Sequence, residues 1–193
     1  MYKYIFLFIT IFYSCSSEKN SNDKIEEDNK FLEAEIKQGW KYGFDKEWSI
    51  TFPNKWQIKD SLSTQEIVLN TIVFAENCQD SLNYCSNMIL RVIKNEDKQD
   101  LEEVVEHFLS VLPQQFETMK IISIKDYQLN DLKLKIVDFR LIQSEINFGN
   151  TYAFFLSSDK IFTLFFTGIN EPTGRYAEER KKAMIIISSL KKS

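Results

Sequence analysis

Apolar and polar residues alternate through Trp48–Phe52, with Trp48, Ile50 and Phe52 on one side and Ser49 and Thr51 on the other. That is the period of a strand with one buried face. Pro53 stops it, because its ring removes a ladder donor and biases Phe52 towards extended geometry. Asn54 and Lys55 make the turn, and Trp56 and Ile58 resume the alternation. A strand, a proline corner and a returning tryptophan predict an early unit onto which later strands pack. Glu66–Asn70 and Thr71–Ala75 read as one interrupted strand and Met88–Ile93 as another.

The period then changes. Leu101, Val104, Val105, Phe108, Leu109 and Leu112 form a helical stripe. Asp100 and Glu103 stand at capping-box spacing before it. Pro113 is expected to end or kink this helix, and Phe116 and Met119 continue its spacing, so a kinked or restarted helix is predicted. From Lys120 the period returns to two. Ile121–Ile124 reads as a strand, Asn130-Asp131 as a turn, and Leu132, Leu134 and Ile136 as the next strand. Val137, Phe139 and Leu141 then take over the apolar phase, which predicts a bulge near Ile136–Val137. Phe148-Gly149-Asn150-Thr151 carries a hairpin signal.

In Tyr152–Leu156 and Ile161–Thr167 apolar residues occupy both phases, so these strands should be covered on both faces. A last helix is expected to run from a Thr173 cap through Tyr176, Arg180, Ala183, Met184 and Ile187, with the closing lysines at its negative pole. Strands, helix, strands, helix predicts an α+β domain built on an antiparallel sheet.

The N-terminus follows different rules. Tyr4–Tyr13 is an apolar run after Met1-Tyr2-Lys3, too short to span a bilayer as a helix but of signal-peptide length. It closes on Tyr13-Ser14-Cys15, which resembles the lipobox of bacterial lipoproteins, where the thiol is acylated and the chain cut before it. The resemblance implies a signal peptide over residues 1–14 and a lipid anchor at Cys15. Each buried methylene of the acyl chains would contribute roughly 0.8 kcal/mol to membrane attachment. Residues 15–40 would then carry a flexible tether, because Ser16–Lys30 holds a single apolar residue, Ile25. Phe31–Ile36 is expected to form a short docking turn, and residues 41–193 the folded domain. Ser16 in place of Asp points to the outer membrane of a bacterial cell envelope.

Composition adds exclusions. The net charge of −4 gives no basic surface for nucleic acid. With Cys15 acylated, Cys78 and Cys85 are an even pair in an oxidising compartment, and a disulfide closing their short loop is expected to contribute about 2–3 kcal/mol. A metal site would need more than two thiols, and six intervening residues do not make a redox pair.

Tyr42-Gly43-Phe44 followed by Trp48–Pro53 and Trp56 resembles the opening of PsbP-like domains, including the DcrB-type bacterial lipoproteins. The helix at Leu101–Leu112, the strand Phe162–Phe166 and the Tyr-led last helix are similar in order. The resemblance covers about Lys41–Lys192 and implies a central antiparallel sheet sandwiched between helices. It also implies an accessory or adaptor role, with no functional residues to carry over.

The chemistry agrees. His107 is the only imidazole, so Ser-His-Asp or Cys-His catalysis would have to run through it, and no nucleophile turn accompanies it. Glu103 lies one turn back, which with His107 makes at most an adventitious metal site. Trp40, Trp48 and Trp56 are expected in the core, with a ligand cleft as the alternative. No catalytic residue, cofactor or metal is assigned. The expected function is that of a non-enzymatic, membrane-anchored envelope lipoprotein binding a protein partner. The alternative is a carrier of an apolar small ligand in a cleft of the aromatic sheet.

Overall fold

The computed structural model describes residues 33–62, 68–76, 86–115, 118–143, 146–169 and 175–192. Its strands are β1 (Trp40–Phe44), β2 (Trp48–Phe52), β3 (Trp56–Leu62), β4 (Val68–Glu76), β5 (Asn87–Lys94), β6 (Met119–Leu129), β7 (Leu132–Gln143), β8 (Ile146–Ser157), β9 (Lys160–Ile169) and β10 (Lys191–Lys192). The helices are α1 (Leu101–Gln115) and α2 (Arg175–Ser188), and a single helical turn over 33–37 precedes β1.

All pairings are antiparallel. Seven strands run in the order β3-β4-β5-β9-β8-β7-β6, and three form a second sheet in the order β1-β2-β10. The large sheet is covered on both faces, as the two-phase apolar pattern of β8 and β9 predicts. On one face Leu90, Phe155, Phe162, Leu164 and Phe166 meet Phe44, Ile50 and Phe52 of the small sheet and Tyr176, Ala183 and Ile186 of α2. On the other, Val104, Val105 and Leu112 of α1 pack on Val137, Phe139, Leu141 and Phe154. The result is an α+β sandwich of helix, sheet, and sheet with helix. Among the described residues no helix is long and apolar enough to cross a membrane.

The proline corner does more than reverse the chain. β2 lies in the small sheet and β3 in the large one, so Pro53 carries the chain from one layer to the other. The Trp56 amide donates to the Pro53 carbonyl at 2.9 Å to close that corner. Phe52 then stacks on Phe74 of β4 at 4.2 Å between ring centres. At Gly39 a Cβ would stand 2.0 Å from the Phe52 carbonyl oxygen, so the approach to β1 needs glycine there.

Four expectations change. β7 has no bulge at Ile136–Val137. Leu134 and Ile136 face the small sheet, Val137, Phe139 and Leu141 face α1, and both sets are buried along one regular strand. The apolar phase switches in the sequence only because Asp138 interrupts the inner face; the irregularity lies in β6, between Ile121 and Ser123. Gly149-Asn150 is no hairpin either, since β8 runs straight through it. The Tyr176 ring lies against Gly149, where a Cβ would be 2.0 Å from a ring carbon. The helix α1 carries Pro113 in its last turn and does not restart, because Met119 already opens β6. Finally, the closing lysines form β10, pairing Lys191 with Ser49 and Lys192 with Trp48.

Candidate functional site

The most polar part of the interior lies between α2 and the large sheet, where Asp138 is buried on β7. Arg180 of α2 grips it with two bonds, Nε to Oδ1 at 2.8 Å and Nη2 to Oδ2 at 2.7 Å. Ser123 donates to Oδ2 and Thr151 to Oδ1, each at 2.8 Å. Tyr176 donates its hydroxyl to the Asn150 carbonyl at 2.8 Å and lies 2.7 Å from the Thr151 hydroxyl. Burial pushes the Asp138 carboxyl up, but the Arg180, Thr151 and Ser123 bonds and the Arg180 charge outweigh it and hold it below its ordinary range. Burial pushes the Tyr176 hydroxyl up. With four donors on two oxygens, Asp138 has no acceptor capacity left for a substrate. The arrangement can clasp a helix to a sheet. It cannot act as a base without dismantling that clasp.

A second polar chain runs beside it. Glu179 accepts from Ser86 and from Lys182 at 3.0 Å, Lys182 lies 3.5 Å from Glu76, and Glu76 lies 2.9 Å from Lys55. These pairs join α2, β4 and the turn before β3. Glu102, exposed on α1, pairs with Lys135 of β7, which also lies 3.3 Å from Asp126. The Glu102 hydrogen bond chiefly raises the Lys135 ammonium.

His107 stands exposed on α1 beside an open groove lined by Asp97, Gln99, Glu103, Glu106 and Ser110. Glu103 is already engaged at the helix start: its amide donates to Asp100 Oδ1 at 2.9 Å and its carboxylate accepts from the Asp100 amide at 2.8 Å. No group of three His, Cys, Asp or Glu able to hold a metal occurs among the described residues. Cys15, Cys78 and Cys85, together with the signal peptide and most of the tether, lie outside the described residues.

The tryptophans are packed. Trp56 is buried against Phe52, and Trp40 stacks on Phe52 while donating its indole N–H to the Trp56 carbonyl at 2.9 Å. Trp48 meets Phe155 edge-on at 5.4 Å. Phe155 itself is fully buried against Phe162. Trp48 also lines a cleft of about 440 Å³ at one end of the sandwich.

The surface feature that sequence reasoning missed is the outer edge of β6. This strand closes one side of the large sheet, so its outward N–H and C=O groups have no strand partner among the described residues. It exposes Ile121, Ile122 (48%) and Ile124 (45%). Lys120 and Lys125 on the same strand make no ion pair among the described residues. The opposite edge, β3, shows one exposed isoleucine, Ile58, before a register shift. In the sequence, Ile121–Ile124 reads simply as a strand. Only the strand order shows that it lies at an edge, with no outer neighbour among the described residues.

No protein-family model matches the chain, and no curated sequence matches it. Several solved structures do. The solution structure of cyanobacterial PsbP from Synechocystis aligns with 80% of this chain and 92% of its own, at 13% identity and a TM-score of 0.60. The fold is PsbP-like. The Ran-binding protein Mog1p of Saccharomyces cerevisiae covers 79% of this chain and 94% of its own at 8% identity, with a TM-score of 0.56. LpqN of Mycobacterium tuberculosis, described as involved in cell envelope biogenesis, covers 80% and 85% at 8% identity, with a TM-score of 0.55. At such identities the likeness concerns the arrangement of strands and helices, which in this chain matches the PsbP-like sandwich from β1 to α2.

Proposed function

We propose that this protein is a non-enzymatic accessory module of the bacterial envelope, lipid-anchored at Cys15 on the outer membrane, that captures an extended segment of a partner protein along β6. The observation that carries this reading is the bare isoleucine edge of that strand. Its outer side offers backbone groups that another strand can complement, and the register shift between Ile121 and Ser123 and the two lysines restrict which strand can do so. Lys120 and Lys125 select for an acidic segment, with apolar residues to meet Ile122 and Ile124. The saturated Asp138 clasp and the engaged Glu103 leave neither group free for acid–base work. Mog1p, a neighbour in fold, is described as Ran-binding, which supports a binding role, and LpqN as involved in cell envelope biogenesis, which supports an envelope setting.

The test is a photo-crosslinker placed in turn at Ile124 and at Ile58, two isoleucines of similar exposure on opposite edges of one sheet. A defined partner protein should crosslink from Ile124 and not from Ile58, and Ile122→Lys with Ile124→Lys should abolish it. Equal products from both edges, or a product containing only a second copy of this chain, would overturn the proposal.

A further inference from the structure

We infer that the cleft beside Trp48 binds a single-chain amphiphile with an anionic head, a carboxylate or a phosphate. This goes beyond the partner-strand reading and stands without it, since the cleft and the β6 isoleucines share no residue. The volume of about 440 Å³ falls in the ordinary range of small-ligand sites. Its apolar wall is built from four elements that only the fold brings together: Trp48 of β2, Leu129 and Leu132 around the β6–β7 turn, Leu156 of β8, and Leu190 before β10.

Two observations point to an anionic head. Lys191 and Lys192 are both exposed and both line the cleft, against one acid, Asp131. Lys191 makes no ion pair among the described residues, and Lys192 has only Glu47 at 3.8 Å. Glu47 and Asp131 balance the two lysines in number, but Lys191 has no carboxylate within ion-pair distance among the described residues and offers its charge to an anionic head. Independently, the Trp48 indole N–H is buried, the residue being only 7% exposed, and has no acceptor among the described residues. A buried donor without a partner carries an uncompensated desolvation cost, and a head-group oxygen that reached it through a small shift of the Trp48 ring would relieve it. An apolar wall, with a cationic rim and an orphan donor beside it, together describe the body and the single head of one amphiphile.

The measurement is a titration of the whole chain with dodecanoate, dodecyl phosphate and dodecyltrimethylammonium, each below its micelle concentration. It is read by calorimetry and by the Trp48 indole N–H resonance, assigned with Trp48→Phe. Both anions should bind saturably and move that resonance, while the cation should not. Tighter binding of dodecanoate would identify a fatty-acid source, and tighter binding of the phosphate a lipid-headgroup source. Lys191→Glu with Lys192→Glu should weaken the anions by about tenfold or more, each exposed charge contact being worth up to about fivefold. Asp131→Lys, another exposed position, should tighten them by about two- to fivefold. Absence of saturable binding, equal binding of the cation, or indifference to both charge changes in chains that still unfold cooperatively would overturn the proposal.

Discussion

Asp138 shows how a single residue settles the position of a whole helix. It is the one acid on the inner face of β7, and a buried carboxylate there is tolerable only because Arg180, Ser123 and Thr151 meet both of its oxygens. Removing one partner of such a pair strands the other charge, so Asp138→Ala should cost about 3–5 kcal/mol in urea unfolding. The sign of the pH effect follows from its lowered carboxyl. An unfolded aspartate titrates near about 3.9. Above that value the stabilisation is fully present, and it is lost as the pH falls through the lower folded value. Asp138→Asn should therefore flatten the acid limb of stability measured from neutral pH downward, leaving the other carboxylates to define it.

Among the elements, α2 and β2 depend on each other through the chain end. Ser189, just past α2, accepts the Thr51 amide at 2.8 Å, and the Ser49 hydroxyl donates to the Lys191 carbonyl at 3.4 Å. The two-residue strand β10 is thus held as much by side chains as by its own ladder. Ser189→Ala should accelerate hydrogen exchange at the Thr51 amide while leaving amides in the centre of β9 unchanged, because β9 is paired on both sides. The start of α1 follows a purely local logic: Asp100 and Glu103 satisfy each other's amides, and the stripe behind them packs on β7 and β8.

For the molecule as a whole, the two faces of the large sheet are closed, and what remains open among the described residues is its two edge strands, β3 and β6, and one end. An anchor and a tether would hold this body near a membrane while leaving β6 accessible. Replacing Cys15 by Ala should move the protein from the membrane to the soluble fraction and abolish incorporation of labelled palmitate, with thermal unfolding of the domain unchanged. Retention at the membrane with no label lost would remove the lipoprotein reading.

What could be read from the residues alone is what depends on near neighbours. The capping box, the helical stripe of α1, the alternation in β2 and β3, the Asn130-Asp131 turn and the two-sided apolar pattern of β8 and β9 are all short-range patterns with one physical meaning each. An α+β domain with an antiparallel sheet follows from them, and the PsbP-like order is what the family resemblance implies. Tertiary structure alone decided the rest, because the deciding partner lies far along the chain. Gly149-Asn150 signals a turn until Tyr176 occupies the space above the glycine. Asp138 mimics a phase change until Arg180 arrives. The isoleucines of β6 look like core in a list of residues, and strand order leaves them at the rim. The Trp48 cleft exists only where β2, the β6–β7 turn, β8 and the chain end converge.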